Sequence, residues 1–131
     1  MSKIKKECDK LWAECVKAKA RYKSELSGRE GKQIGGEHVL NAHHLRGKSS
    51  YRLRYELKNG YCCTKGEHKW GFHNEGRKQD YENQVAKQRP GIFDFLAMIK
   101  NHKSDDIRMI KMYLEKQLIV LKRREVKVWK Q

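Results

Sequence analysis

Long apolar runs are absent from this sequence. No stretch approaches the roughly 18 consecutive apolar residues of a membrane-spanning helix, so we expect no membrane partner. The first lysines are not followed by an apolar run either, and a secretory signal would need one there. We therefore expect an intracellular protein.

Proline and hydrophobic residues are both sparse. The chain has one proline, and hydrophobic residues make up 37% of its 131 residues, which is lean but above the composition of disordered chains. A chain of this length buries about two-thirds of its unfolded surface on folding. Since no internal repeat or low-complexity segment divides the sequence, we predict a single domain over residues 1–131.

Acidic residues are scarce as well, with 16 Asp and Glu against 31 Lys and Arg. The resulting net charge of +15 makes a polyanion the default partner. Because no membrane segment is present, nucleic acid is the polyanion that the sequence favours. The basic segment 122–130 would add non-specific, salt-sensitive affinity for it.

The four cysteines are not expected to form disulfides, because intracellular proteins are kept reduced. Cys8 and Cys15 share the apolar side of the first predicted helix, so we predict that both are buried as small hydrophobic residues. We predict burial for Cys62 and Cys63 too, because this pair suits a strand.

Apolar periodicity predicts a helix over residues 1–24 and further helices over residues 90–131. In the N-terminal helix, the residues that share one face are Ile4, Cys8, Leu11, Trp12 and Cys15. Pro90 can open one C-terminal helix, and Ser104 can begin another. The apolar stripe of that last helix consists of Ile107, Ile110, Leu114, Leu118 and Leu121.

Residues 37–75 carry a different pattern. Four glycines between residues 27 and 37 predict a loop before them. The segment HVLNAHHL then has extended character, and NGYCC begins with an Asn-Gly turn signal and continues as a strand. A short helix capped by Thr64 follows. The predicted fold class is therefore α+β, with a short β-hairpin and a helix between N-terminal and C-terminal helices.

Four of the six histidines lie between Asn41 and Asn74. Hydrolysis of a phosphodiester requires that water lose a proton and that negative charge on the phosphate be stabilised. A neutral imidazole suits the first task because its pKa lies near working pH, and a divalent cation suits the second. Successive side chains of a strand point to opposite faces, so His43 and His44 can divide the two tasks.

The pair His43-His44, the following Asn59 and the closing His68 resemble the HNH endonuclease family. Residues 42–63, AHHLRGKSSYRLRYELKNGYCC, look like the phage-encoded branch of that family. The resemblance implies a ββα-metal finger and a metal-dependent DNA endonuclease or nickase. It also implies one divalent cation at the catalytic site, which would be Mg²⁺, Mn²⁺, Ni²⁺ or Zn²⁺.

The resemblance implies a role for each matching residue. His43 would be a metal ligand, and His44 would be the general base that deprotonates water. Asn59 would hold the loop by hydrogen bonds and keep His44 oriented. His68, on the short helix, would be a further metal ligand.

His73 is an open case in this scheme. Many relatives place a second helix histidine four residues after the first, but that position is Phe72 here. His73 lies five residues after His68, about 140° around an ideal helix. Gly71 could distort the helix and return His73 to the metal, so His73 remains a candidate third ligand.

The sequence departs from many relatives at a zinc knuckle. Ser24 and Ser27 stand where the first cysteine pair would fall, while Cys63 and Glu67 lie at the second. One thiolate cannot hold a structural zinc, because such sites are four-coordinate. We therefore expect no structural zinc.

Four basic residues near the histidine pair are candidates to grip a DNA backbone: Arg46, Lys48, Arg52 and Arg54. Among them Arg54 is the preferred candidate, and an ordinary solvated loop is the alternative. The short length argues against extensive base readout, so we expect non-specific or structure-dependent DNA binding. A homodimer is compatible with cutting both strands.

Two other functions stay open. One is a catalytically impaired nucleic-acid-binding module that kept the finger, an alternative motivated by the altered zinc positions and by Phe72. The other is a basic RNA-binding protein, which would not need His43, His44 and His68 together.

Overall fold

A computed structural model describes residues 1–31, 39–101 and 106–130, with side chains as far as residue 123. In these parts of the chain, helices surround a sheet of two antiparallel strands, β1 (Leu40–His44) and β2 (Gly60–Thr64). The predicted α+β class is therefore confirmed. Most of the glycine-rich loop, the Ser104 signal and the side chains of most of the basic C-terminal segment lie outside the described residues.

The first helix, α1 (Lys3–Lys19), is shorter than predicted. The Ser2 side chain accepts a hydrogen bond from the Lys5 amide and caps the N-terminus. Beyond Lys19, both Arg21 and Tyr22 have a φ of 57°, a left-handed conformation that a right-handed helix cannot contain. Of the residues after Lys19 that the prediction included, 20–22 lie in turns and Lys23 forms an isolated bridge with Glu30.

The connection between the strands is longer than a hairpin turn. It comprises residues 45–59 and contains α2 (Tyr51–Arg54) and a 3₁₀ turn (Leu57–Asn59). The Asn-Gly turn signal was therefore misleading, because Gly60 is the first residue of β2. Its φ of −97° is ordinary, and what requires glycine is space, since an added Cβ would meet the side chains of α1.

Strand β2 leads directly into helical structure, α3 (Lys65–Glu67) and a π-helical turn (His68–Phe72). The predicted cap is confirmed, because the Thr64 hydroxyl accepts a hydrogen bond from the Glu67 amide and the Glu67 carboxylate accepts one from the Thr64 amide. The later described helices are α4 (Glu75–Gln88), α5 (Ile92–Ile99) and α6 (Ile107–Lys130). Of these, α5 and α6 were predicted and α4 was not.

Different helices cover the two faces of the sheet. Helices α1 and α6 pack on one face, where the buried cluster contains Cys8, Trp12, Cys15, Val16, Leu40, Tyr55, Cys62, Ile110 and Leu114. The π turn, α4 and α5 cover the other face, where the buried cluster contains Leu45, Leu53, Tyr61, Cys63, Phe72, Val85, Ile92, Leu96 and Ile99. The predicted burial of all four cysteines is confirmed. None of the described helices has the length and apolar character needed to cross a membrane.

Candidate metal centre

Three histidines from two elements converge on the face of the sheet that the π turn covers. His43 comes from β1, His68 begins the π turn and His73 follows it. Nδ1 of His43 lies 2.9 Å from Nε2 of His68, and Nε2 of His73 lies 2.9 Å from the same atom. One nitrogen from each ring falls within 4.8 Å of the others, close enough to bind one metal ion.

Two of the three nitrogen pairs have a spacing close to that of ligands that share a cation. Two imidazole nitrogens that bind one ion at about 2.1 Å are about 3.0 to 3.4 Å apart at angles between 90° and tetrahedral. A ring nitrogen carries either one hydrogen or one lone pair, so Nε2 of His68 cannot make good hydrogen bonds to both neighbours at once. A cation between the rings would satisfy all three lone pairs.

The π turn brings His73 to the centre. In an α-helix, residues five apart point in different directions, but in a π turn the i→i+5 hydrogen bond stacks them one turn apart. The His73 amide donates this bond to the His68 carbonyl at 3.2 Å. The five-residue offset therefore does not separate the two imidazoles.

Glycine at position 71 permits this turn. A Cβ added to Gly71 would overlap the ring of Tyr81 from α4, which packs edge-on against Phe72. Helix α4 can press against the π turn only because Gly71 has no side chain. The role of Gly71 is therefore to let α4 approach the π turn closely.

Burial keeps the ligand imidazoles neutral. His43 stacks on the buried Phe72 ring, with 4.4 Å between ring centroids. Burial lowers the pKa of His43 to about 3, and the neighbouring His68 and His73 add to the shift. Burial also lowers the pKa of His68. Since metals bind the unprotonated ring, both ligands are ready at neutral pH.

The adjacent His44 faces the other side of the sheet, towards α1. Its ring lies parallel to Trp12, with 3.8 Å between centroids and 7° between planes. Its Nε2 lies 3.0 Å from the Arg54 carbonyl oxygen, which can only accept, so Nε2 carries the hydrogen and Nδ1 has the lone pair. Burial lowers the pKa of His44, which keeps that lone pair available.

Asn59 organises the loop between the strands. The residue is fully buried. Its side-chain oxygen accepts from the Arg46 amide at 2.9 Å, and its side-chain nitrogen donates to the carbonyls of Gly47 and Leu53, both at 2.9 Å. These bonds connect the end of β1 to α2, whose last residue supplies the carbonyl that holds His44.

Three of the four predicted DNA-contacting residues are paired with carboxylates. Arg54 makes two bonds to Asp9 of α1, at 2.7 and 2.6 Å, while Arg46 pairs with Glu82 and Arg52 with Glu56. Lys48 is exposed and lines the same cleft as the histidines, a space of about 470 Å³ that also contains Asp9 and Trp12. Arg54 lines this cleft too, but its guanidinium is bound to Asp9, so the exposed Lys48 is better placed to meet a phosphate.

The positions of the absent zinc knuckle are joined by hydrogen bonds. The Ser24 hydroxyl donates to Glu67 at 2.6 Å, and it accepts bonds from the amides of Leu26 and Ser27, both at 3.1 Å. Ser24 is buried, and Glu67 also holds Thr64. This network ties the segment after α1 to α3 at the positions where the resemblance to the HNH family would place a zinc knuckle.

Sequence reasoning missed Asn41 as part of the centre. Its side-chain amide lies 3.3 Å from Nδ1 of His68. When Nε2 of His68 binds a cation, Nδ1 carries the hydrogen, and the Asn41 amide can turn its oxygen towards it. Asn41 precedes His43 by two residues on β1, so the two-residue period of a strand was the signal that could have found it.

We expect Asn41→Ala to weaken Mn²⁺ affinity about 10- to 100-fold, because His68 loses the partner that fixes its ring. Asn41→Asp should retain affinity, since a carboxylate accepts the same hydrogen bond. Calorimetric titration measures both, with Asn83→Ala on the exposed side of α4 as the control. Equal affinities in Asn41→Ala and the control would contradict this role.

Acid should destabilise the metal-free protein through the buried histidines. As the pH falls, the unfolded chain takes up protons near pH 6.5, whereas folded His43 resists until about 3, so stability is full above 6.5 and is lost below it. Between pH 7 and pH 5, His43 alone should remove about 2 kcal/mol of unfolding free energy. Urea titrations with chelator measure this, and His43→Asn should show a flatter pH dependence than the parent. Parallel pH curves would contradict the assignment.

Comparison with models of protein families, with curated proteins and with solved structures gave no match. The chemistry of this site is therefore inferred from the geometry of its own residues and from the resemblance of residues 42–63 to the HNH family.

Proposed function

We propose that this chain is a metal-dependent HNH endonuclease or nickase that hydrolyses phosphodiester bonds in DNA. The ββα-metal finger would be formed by β1, β2 and residues 65–72. The convergence of His43, His68 and His73 in one cleft with His44 is the observation that carries the proposal. Phage origin depends on the resemblance alone and stays a prediction.

The three converging imidazoles would hold the cation, and the fourth would handle the proton. A bound divalent cation supplies positive charge that stabilises the phosphate and the departing oxygen. The imidazoles of His43, His68 and His73 are neutral ligands, so they leave that charge undiminished. His44 follows His43 in the chain but lies on the opposite face of the sheet, so it cannot bind the same cation.

His44 is arranged to accept a proton from water at Nδ1. The Arg54 carbonyl fixes the hydrogen on Nε2, and the parallel Trp12 ring fixes the plane of the imidazole. The bidentate pair between the Arg54 side chain and Asp9 secures that carbonyl to α1. A neutral base held in one tautomer and one orientation is what general-base catalysis requires.

The two alternatives are weaker on specific grounds. A catalytically impaired module was suggested partly by Phe72, but the π turn gives His73 the place that a histidine at 72 would have taken. A basic RNA-binding protein has no need of three imidazoles that converge on one point, because phosphate affinity comes mainly from Lys and Arg.

A plasmid-nicking assay tests the proposal. Supercoiled DNA should become open-circular or linear with Mg²⁺, Mn²⁺ or Ni²⁺ and remain supercoiled with EDTA. DNA that is bound but never cut, with every cation, would favour the impaired module. RNA that competes for binding far better than DNA, again without cutting, would favour the RNA-binding protein.

A further inference from the structure

A second cleft lies apart from the histidines and is lined by Lys19, Lys58, Arg89 and Phe95. We propose that it binds a backbone phosphate of the nucleic acid, as an anchor outside the cleavage site. The inference rests on the proposed function, which identifies the polymer as DNA. It concerns residues that have no part in the metal centre.

The wall of this cleft is basic. Its volume is about 380 Å³, and among the described residues no acidic side chain lines it. Lys19 and Lys58 are exposed residues of this wall. Arg89 is paired with Glu25, so the excess positive charge comes from the two lysines, and a bound phosphate would offset the repulsion between them.

Arg89 is held in a fixed position in the wall of the cleft. Its guanidinium donates to the carbonyls of Lys58 and Gly60, at 3.1 and 2.9 Å, and to Glu25 at 2.8 Å. These bonds join the end of α4 to the start of β2, so the cationic wall is held by the sheet itself. The Glu25 carboxylate accepts this bond from Arg89 with one oxygen and a bond from the Cys62 amide with the other.

Lys58 and Lys19 lie beside Arg89 in this wall. The Lys58 ammonium lies 5.0 Å from the centre of the Phe95 ring, a cation–π contact that draws it over the cleft. The pKa of Lys19 is lowered by partial burial and by the charge of Arg89, with Lys58 adding to it and Glu25 and Glu56 opposing it. The field at Lys19 is therefore positive despite the two carboxylates.

The cleft lies at the same end of the sheet as His44, the proposed general base. Gly60 pairs with His44, and Lys58 precedes Gly60 by two residues, so the Cα atoms of Lys58 and His44 are at most about 13 Å apart. Lys19 follows Trp12 by seven residues, which is about two turns or about 10.5 Å along the same side of α1. One DNA strand rises about 3.4 Å per nucleotide, so the anchor would meet a phosphate within a few nucleotides of the cut.

The test is the salt dependence of DNA binding, measured with EDTA so that nothing is cut. In Lys19→Gln/Lys58→Gln, the slope of log affinity against log salt should become shallower by about 0.9, the contribution of the one phosphate contact that the cleft would make. The variant should keep the Mn²⁺ affinity and kcat of the parent and show a raised KM. A double variant of two exposed lysines outside the cleft, Lys6→Gln/Lys116→Gln, is the matched control.

A slope that changes equally in both double variants would overturn the anchor, and so would a parental slope in Lys19→Gln/Lys58→Gln. If the parent still cuts plasmid, the proposed function survives that result; a parent that neither binds nor cuts DNA overturns both. Millimolar inorganic phosphate at constant ionic strength separates the two sources of this chemistry. Displacement of DNA in the parent but not in the variant would support the anchor, because phosphate and DNA would then compete for the cleft. Phosphate that binds the parent but not the variant, and leaves DNA affinity unchanged, would assign the cleft to free phosphate and overturn the polymer.

Discussion

His44→Ala is expected to lower the cleavage rate about 10²- to 10⁴-fold, the usual contribution of a general base. DNA affinity and Mn²⁺ affinity should stay close to those of the parent, because His44 is neither a ligand of the imidazole trio nor a charge that binds phosphate. Single-turnover cleavage of plasmid at saturating Mn²⁺ measures the loss.

A second substitution separates lost chemistry from lost structure. Alanine removes the ring that stacks on Trp12, so it also leaves a gap beside α1. His44→Asn fills more of that space and can donate to the Arg54 carbonyl, but an amide cannot take up the proton. Both variants should therefore be equally inactive, with a smaller loss of stability in His44→Asn. Parental cleavage in either folded variant would show that His44 is not the base.

Removal of one ligand should abolish tight metal binding. His68→Ala removes the imidazole whose Nε2 lies 2.9 Å from a nitrogen of each of the other two histidines. Loss of a residue that only hydrogen-bonds a ligand lowers metal affinity about 10- to 100-fold, so loss of the ligand itself should lower Mn²⁺ affinity more than about 100-fold. His73→Ala should cause a loss of the same order, because the π turn places its ring beside His68 despite the five-residue offset. The Mn²⁺ concentration that gives half-maximal cleavage measures both.

The control for these variants lies in the same turn. Lys69 is exposed beside His68 and shares its backbone environment, so Lys69→Ala should leave the metal dependence unchanged. A His68→Ala protein that folds normally and binds Mn²⁺ like the parent would remove the central ligand and favour the non-catalytic binding module.

Local patterns predicted the elements that surround the site. The extended character of HVLNAHHL predicted β1, and Thr64 as a capping residue predicted the start of the short helix. The apolar stripe of α6 was also visible, and its Ile110 and Leu114 are buried against α1. In each case one face meets the core, so the periodicity of the sequence records the packing.

Helix α4 was not predicted because it carries almost no apolar pattern. Val85 is its only buried residue, and the rest of EGRKQDYENQVAKQ is polar or exposed apart from Tyr81. The helix is held mainly by Tyr81 against the π turn and by polar bonds such as Arg46 to Glu82. Contacts of this kind leave no repeating signal in a single sequence.

The site was only partly visible for a related reason. The family resemblance supplied His43, His44 and His68, whereas the backbone hydrogen bond that recruits His73 depends on a glycine packed under a distant tyrosine. Asp9 and Trp12 also could not be found, since each meets its partner more than 30 residues away in the chain. Long-range pairs have no spacing rule from which to predict them.

The central claim is that three imidazoles form one cation site, and calorimetric titration of Mn²⁺ into the parent protein tests it most directly. We expect one ion per chain at neutral pH, with affinity that persists at pH 6.5, because burial lowers the pKa of His43 and His68, and that is lost in His68→Ala. No saturable heat, or the same stoichiometry and affinity in folded His68→Ala, would contradict the account.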